Sequence, residues 1–265
     1  MDQPTYLNVI IWINIRVCLP FTFLLITLCC LVRLDRVPVS YCMILLLSNL
    51  TQLIILIALP SYSYYYWRYS ASLIIYACCA LASLCFRTMI ALERCCSISC
   101  PSSSCITQTK GFVIVSVFVW VFCLVFVPLF ISLGQGLSCL IFALLPAPVL
   151  LTCLVVSLKH VCGTVSVPAE EKRRTVGILV VLLLHYSVAV FPIVISSFVF
   201  NNFQPFSPRI EIPDIYLSLF LLGYFFDLLL FVVMCKGLIE KLLKCLCCCC
   251  RMENVERNDG SRSSV

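Results

Sequence analysis

Charge is scarce in this sequence. Asp, Glu, Lys and Arg make up 11% of its 265 residues, and hydrophobic residues make up 62%. A soluble domain carries about a quarter charged residues and about half apolar ones. No soluble fold of this length hides so much apolar surface, so lipid is expected to be the solvent for much of the chain. Spans then use almost all of it, leaving no room for a second folded domain. Metal-ligand spacing, a nucleophile–base set and a phosphate-cradling loop are all missing, so no enzyme, metal or cofactor is expected. No internal repeat supports an inverted-repeat transporter. The start, Met1-Asp2-Gln3-Pro4, lacks a basic leader region, and the apolar run after it is too long for a cleaved signal. That run reads as an uncleaved first span. The net charge of +6 comes from basic loops and a basic tail, not from a nucleic-acid surface.

What is present in excess is apolar sequence and cysteine. Most of the 21 cysteines lie inside apolar runs, such as Cys29-Cys30 and Cys78-Cys79. There, cysteine acts as a small hydrophobe rather than as part of a disulfide scaffold. A spanning helix needs about 20 mostly apolar residues. Seven stretches qualify, near 8–32, 39–60, 70–95, 111–133, 137–158, 175–200 and 212–235. The boundary at Gly134-Gln135-Gly136 is the weakest. The expectation is an all-α membrane protein, a seven-transmembrane helix bundle over 1–235. A short amphipathic eighth helix with a cysteine cluster follows over 236–250, then a disordered cytoplasmic tail over 251–265.

Basic residues orient the chain. With the N-terminus outside, Arg33, Arg36, Arg94, Lys110, Lys159, Lys172 and the tail lysines all fall on the cytoplasmic side. Arg68 and Arg209 fall outside, and Arg16 and Arg87 lie within spans. Tyr62, Tyr64, Tyr65, Tyr66, Trp67 and Tyr69 cluster at the outer end of spans two and three, as an interfacial aromatic belt does. The sequon Asn49-Leu50-Thr51 lies inside span two, out of reach of glycosylation.

Six landmarks then fall in order. Glu93-Arg94 closes span three, with Pro101 seven residues beyond the arginine. Trp120 is central in span four. Pro146 or Pro148 lies in span five and Pro192 in span six. Asp227-Leu228-Leu229-Leu230-Phe231 lies in span seven, and Ser48-Asn49-Leu50 in span two. Together these resemble the rhodopsin-like (class A) G-protein-coupled receptors, whose third span ends in Asp/Glu-Arg-Tyr and whose seventh carries Asn/Asp-Pro-x-x-Tyr. The resemblance implies a receptor transducing an extracellular small ligand (lipid, small molecule or short peptide) to a heterotrimeric G protein. It implies that Glu93 restrains Arg94 at rest, with Glu170 and Glu171 as a second tether, and that Pro148 and Pro192 act as helix pivots. The chain departs from the family at Cys95, Val190, Leu228 and Phe231. It also departs at Tyr69, where the family has a cysteine bonded to the second outer loop.

Charges at membrane depth are costly and need partners. Arg87 lies seven positions before Arg94, on nearly the same face and about two turns deeper. Asp227 is the other charge at comparable depth. Spans three and seven face each other in the resembled fold, so an Arg87–Asp227 ion pair supported by Asn49 is expected. A built-in cation would then stand where such receptors often hold sodium. The alternatives are that Arg87 snorkels or meets water, and that Arg94 snorkels to headgroups. Arg16, closer to the outer surface, reads as a snorkelling residue, and His185 reads as a packed, singly bonded imidazole.

After the last span, Lys236 to Lys244 alternates lysine with apolar residues at helical spacing, which suits a helix on an anionic leaflet. Cys245, Cys247, Cys248, Cys249 and Cys250 follow. A consecutive run cannot converge on zinc well, so acylation is the expected fate. The leading functional expectation is the receptor, in the plasma membrane. The alternative is a non-signalling seven-helix protein that binds or traffics a membrane partner.

Overall fold

A computed structural model describes residues 5–31, 37–58, 71–99, 109–133, 142–163, 169–203 and 214–234. Among them every regular element is helical. In chain order these are α1 (Thr5–Ile13), a π-helical turn (Asn14–Cys18), α2 (Leu19–Leu31), α3 (Val37–Ala58), α4 (Ala71–Ser99), α5 (Thr109–Ser132), α6 (Pro146–Gly163), α7 (Ala169–His185), a second π-helical turn (Tyr186–Val190), α8 (Phe191–Phe203) and α9 (Asp214–Met234).

Among the described residues, six helical segments are long and apolar enough to cross a membrane, the mark of an integral membrane protein. Their outward faces show why. Along α5, Ile114 and Phe118 are each 69% exposed, and Val117, Val121, Leu124 and Val125 are exposed with them. A helix whose outer face is all hydrocarbon is stable only against lipid. The seventh stretch differs. Of the expected span 137–158, residues 137–141 lie outside the described residues; the described helix α6 begins at Pro146, and its apolar part, Pro146–His160, measures about 22 Å at 1.5 Å per residue. That is short of a hydrocarbon core of about 30 Å.

Both π turns have the same local cause. Each is followed by one residue and then a proline: Leu19-Pro20 in the first case, Phe191-Pro192 in the second. Proline has no N–H to donate, and its ring collides with the carbonyl four residues back. Widening one turn removes that collision. The first expected pivot, Pro192, therefore does sit at an irregularity. The second does not. Pro148 is exposed in the first turn of α6, where backbone N–H groups have no helical partner anyway, so it interrupts no hydrogen bond.

The long helix α4 is the axis of the fold. It packs against α3, α5, α6 and α7, while α9 closes the other side against α1, α3, α7 and the second π turn. The main core joins Leu45 and Leu46 of α3, Phe86 and Ile90 of α4, Ile178 and Leu182 of α7, and Leu230 of α9. Trp120 of α5 packs on Phe86, which also meets Tyr41. Arg87 and Asp227 are carried into this core by two of its best-packed helices.

Candidate functional site: a polar layer under an apolar cavity

Asp227 is the centre of the site. Its carboxylate receives Arg87 Nε on Oδ1 at 2.8 Å and Arg87 Nη2 on Oδ2 at 2.5 Å, a two-pronged contact. Asn49 Nδ2 donates to Oδ2 at 2.7 Å. The structure thus brings Asn49, Arg87 and Asp227 together from α3, α4 and α9, and all three are buried. Taking two charges out of water costs several kcal/mol per ion, on the order of the Coulomb gain, so good geometry and extra hydrogen bonds decide the balance. The guanidinium fork and the Asn49 amide supply both.

His185, the last residue of α7, is the fourth member. Its Nδ1 is 3.9 Å from Asp227 Oδ1, too far for a hydrogen bond, and finds no partner among the described residues. Gly223 lets the ring come this close. A Cβ on Gly223 would lie 2.9 Å from His185 Cε1 and 3.3 Å from Ala189 Cβ.

A second polar row lies one turn away. Gln52 Nε2 donates to the Ser48 carbonyl at 3.3 Å and to Ser83 Oγ at 3.2 Å. The Tyr224 hydroxyl donates to Gln52 Oε1 at 3.2 Å and lies 3.4 Å from the Tyr76 hydroxyl. The sequence reading missed this row, although a signal was there. Gln52 follows Asn49 by three residues, Ser83 precedes Arg87 by four, and Tyr224 precedes Asp227 by three. Each shares a helix face with a residue of the first layer.

Above these two rows is a cavity of about 390 Å³. On α4 its lining runs from Leu73 to Arg87, a depth of about 21 Å. Gln52, Tyr76, Ser83, Arg87, His185 and Tyr224 supply its polar lining, and Leu81, Leu84, Val127, Ile131, Val194 and Phe220 supply hydrocarbon.

Glu93 and Arg94 lie at the opposite end of α4 from Leu73. Glu93 is buried, and its Oε2 has no hydrogen-bond partner among the described residues. Arg94 is within electrostatic range of Glu93, Glu171 and Arg174, yet among the described residues no carboxylate is within ion-pair distance of it. Adjacent residues on a helix point about 100° apart, so Glu93 turns into the bundle and away from its neighbour. Glu170 and Glu171 are exposed at the start of α7. Among the described residues, none of these carboxylates forms an ion pair with Arg94. Arg174 instead donates Nε to the Val233 carbonyl at 3.2 Å, one residue from the end of α9. A cation there complements the negative end of the helix dipole.

Arg16 lies apart from the site. It is exposed on the first π turn, with its guanidinium 5.7 Å from the Trp12 ring centre, and it does not line the cavity. Cys245, Cys247, Cys248, Cys249 and Cys250, the amphipathic segment before them, the tail and the tyrosine cluster near 62–69 lie outside the described residues. Comparison with protein-family models and with curated protein sequences gives no match.

Proposed function

We propose that the chain is a rhodopsin-like receptor of the plasma membrane, with its N-terminus outside. In this reading α6 completes a set of seven spans, and the segment after α9 lies on the inner leaflet with acylated cysteines. The cavity faces outward and takes a small ligand. The Arg94 end of α4 faces a heterotrimeric G protein.

The observation that carries the reading is the order of features along α4. The cavity ends at Arg87, where the ion-paired layer ties α3, α4 and α9 together. Arg94 lies seven residues further, about 10 Å along the same helix. A ligand touching Arg87, Gln52 or His185 therefore acts on the groups that hold the helices in register. Coupling of this kind needs two sites and a bundle with two arrangements. His185 Nδ1, without a hydrogen-bond partner among the described residues and beside Asp227, and the π turn that starts one residue later, offer a second arrangement of α7 against α9.

The test is basal G-protein activation in cells, wild type against Arg94→Ala, at matched surface expression. The expected result is a wild-type signal that falls at least several-fold in the variant. A wild-type signal that Arg94→Ala leaves unchanged contradicts the reading. Silence in both proteins favours the second reading, a non-signalling protein that binds or traffics a membrane partner. The missing contact between Arg94 and any carboxylate among the described residues supports that alternative.

A further inference from the structure

The cavity specifies the charge of what it binds. Among its described lining residues, Arg87 is the one with a permanent charge, and that charge is committed to Asp227. An acid entering here can reach the remaining guanidinium N–H groups, but the one positive charge is already balanced by Asp227, so the acid adds a net negative charge in hydrocarbon. An amine must place its charge beside Arg87, with the Asp227 carboxylate already occupied. Either outcome carries the cost of an unpaired buried ion.

Hydrogen-bond direction specifies the polar groups. The Ser48 carbonyl can only accept, so the Gln52 amide nitrogen faces it and Gln52 Oε1 faces Tyr224. Tyr224 has one proton, and it goes to Gln52. In the 3.4 Å contact between the two hydroxyls, Tyr76 is therefore the donor. The Tyr76 oxygen keeps its lone pairs as an acceptor. At the other end of the row, Arg87 has five N–H groups and uses two of them on Asp227. The cavity thus presents an acceptor and several donors, set in hydrocarbon walls, with no net charge.

We infer that the cavity binds an uncharged, mostly hydrocarbon molecule whose polar groups are hydroxyl or carbonyl oxygens, and that it rejects acids and amines of the same shape. This rests on the receptor reading for the ligand's role as a signal, while occupancy itself requires no G protein.

A matched trio of probes tests it: naphthylethanol, naphthylacetic acid and naphthylethylamine. The readout is the thermal unfolding midpoint of the full chain in neutral-lipid nanodiscs. The alcohol should raise the midpoint by several degrees, and the acid and the amine should not. Ala80→Phe and Ala77→Phe each place a ring in the cavity, and in a variant that unfolds near the wild-type midpoint the alcohol's shift should vanish. An acid or amine shift as large as the alcohol's overturns the inference. So does no shift from the alcohol, or a shift that survives in both filled variants. An alcohol shift together with a wild-type signal that Arg94→Ala leaves unchanged retains the ligand class and overturns the receptor reading.

Discussion

Arg87 and Asp227 stand 140 positions apart in the chain and meet through two hydrogen bonds between α4 and α9. Neither residue has another way to be buried at this depth. Asn49 adds a third helix to the contact. The pair holds both the floor of the cavity and the register of the bundle.

Gly223 is a position where one methyl group decides packing. Gly223→Ala drives a Cβ to 2.9 Å from His185 Cε1. Overpacking of this kind costs about 1–3 kcal/mol, so the unfolding midpoint in detergent should fall. Gly177→Ala is the control. Its new Cβ meets nothing within 4 Å, and alanine is favoured over glycine in a helix by about 1 kcal/mol. That variant should be as stable as wild type or more so. Equal losses in the two variants would contradict the packing argument.

A fixed guanidinium already neutralises Asp227. Sodium should therefore have no binding place in this layer, although receptors of the resembled family often hold it nearby. Replacing sodium with potassium at constant ionic strength should leave the unfolding midpoint unchanged. A specific gain from sodium would mean that Arg87 leaves the carboxylate accessible.

Gln52 links α3 to α4 through Ser83 and to α9 through Tyr224. Gln52→Leu removes both links and leaves the Tyr224 hydroxyl without its acceptor. An unsatisfied buried polar group costs about 1–3 kcal/mol. Gln52→Leu with Tyr224→Phe and Tyr76→Phe removes the whole row of linked groups and should recover part of that loss, as read by the same midpoint. A triple variant less stable than Gln52→Leu alone would contradict the hydrogen-bond assignment.

The sequence shows these features unequally. Arg87 and Asp227 stand out because a charge in an apolar run has few explanations, and similar depth, with the facing of spans three and seven in the resembled fold, pairs them. Gln52, Ser83 and Tyr224 do not stand out, since single polar residues in long apolar helices are common. Only their spacing from Asn49, Arg87 and Asp227 marks them. The π turns were written as Pro20 and Pro192, but a proline in an apolar helix has several outcomes: Pro128 lies inside α5, and Pro148 falls harmlessly in a first turn. Glu93 and Arg94 are adjacent in sequence and within electrostatic range of each other, yet sequence alone does not show that no ion pair joins them among the described residues.

The most direct test of the central claim, that one ion pair holds the floor of the site, is a double-mutant cycle at Arg87 and Asp227. Arg87→Met and Asp227→Leu are made singly and together, and the unfolding midpoint is read in nanodiscs. Breaking a buried pair from one side costs about 3–5 kcal/mol, while replacing both partners with hydrocarbon is near neutral. The account predicts two strongly destabilised single variants and a double variant close to wild type. A double variant whose loss equals the sum of the two single losses would mean that the residues do not act on each other, and the pair would be wrong.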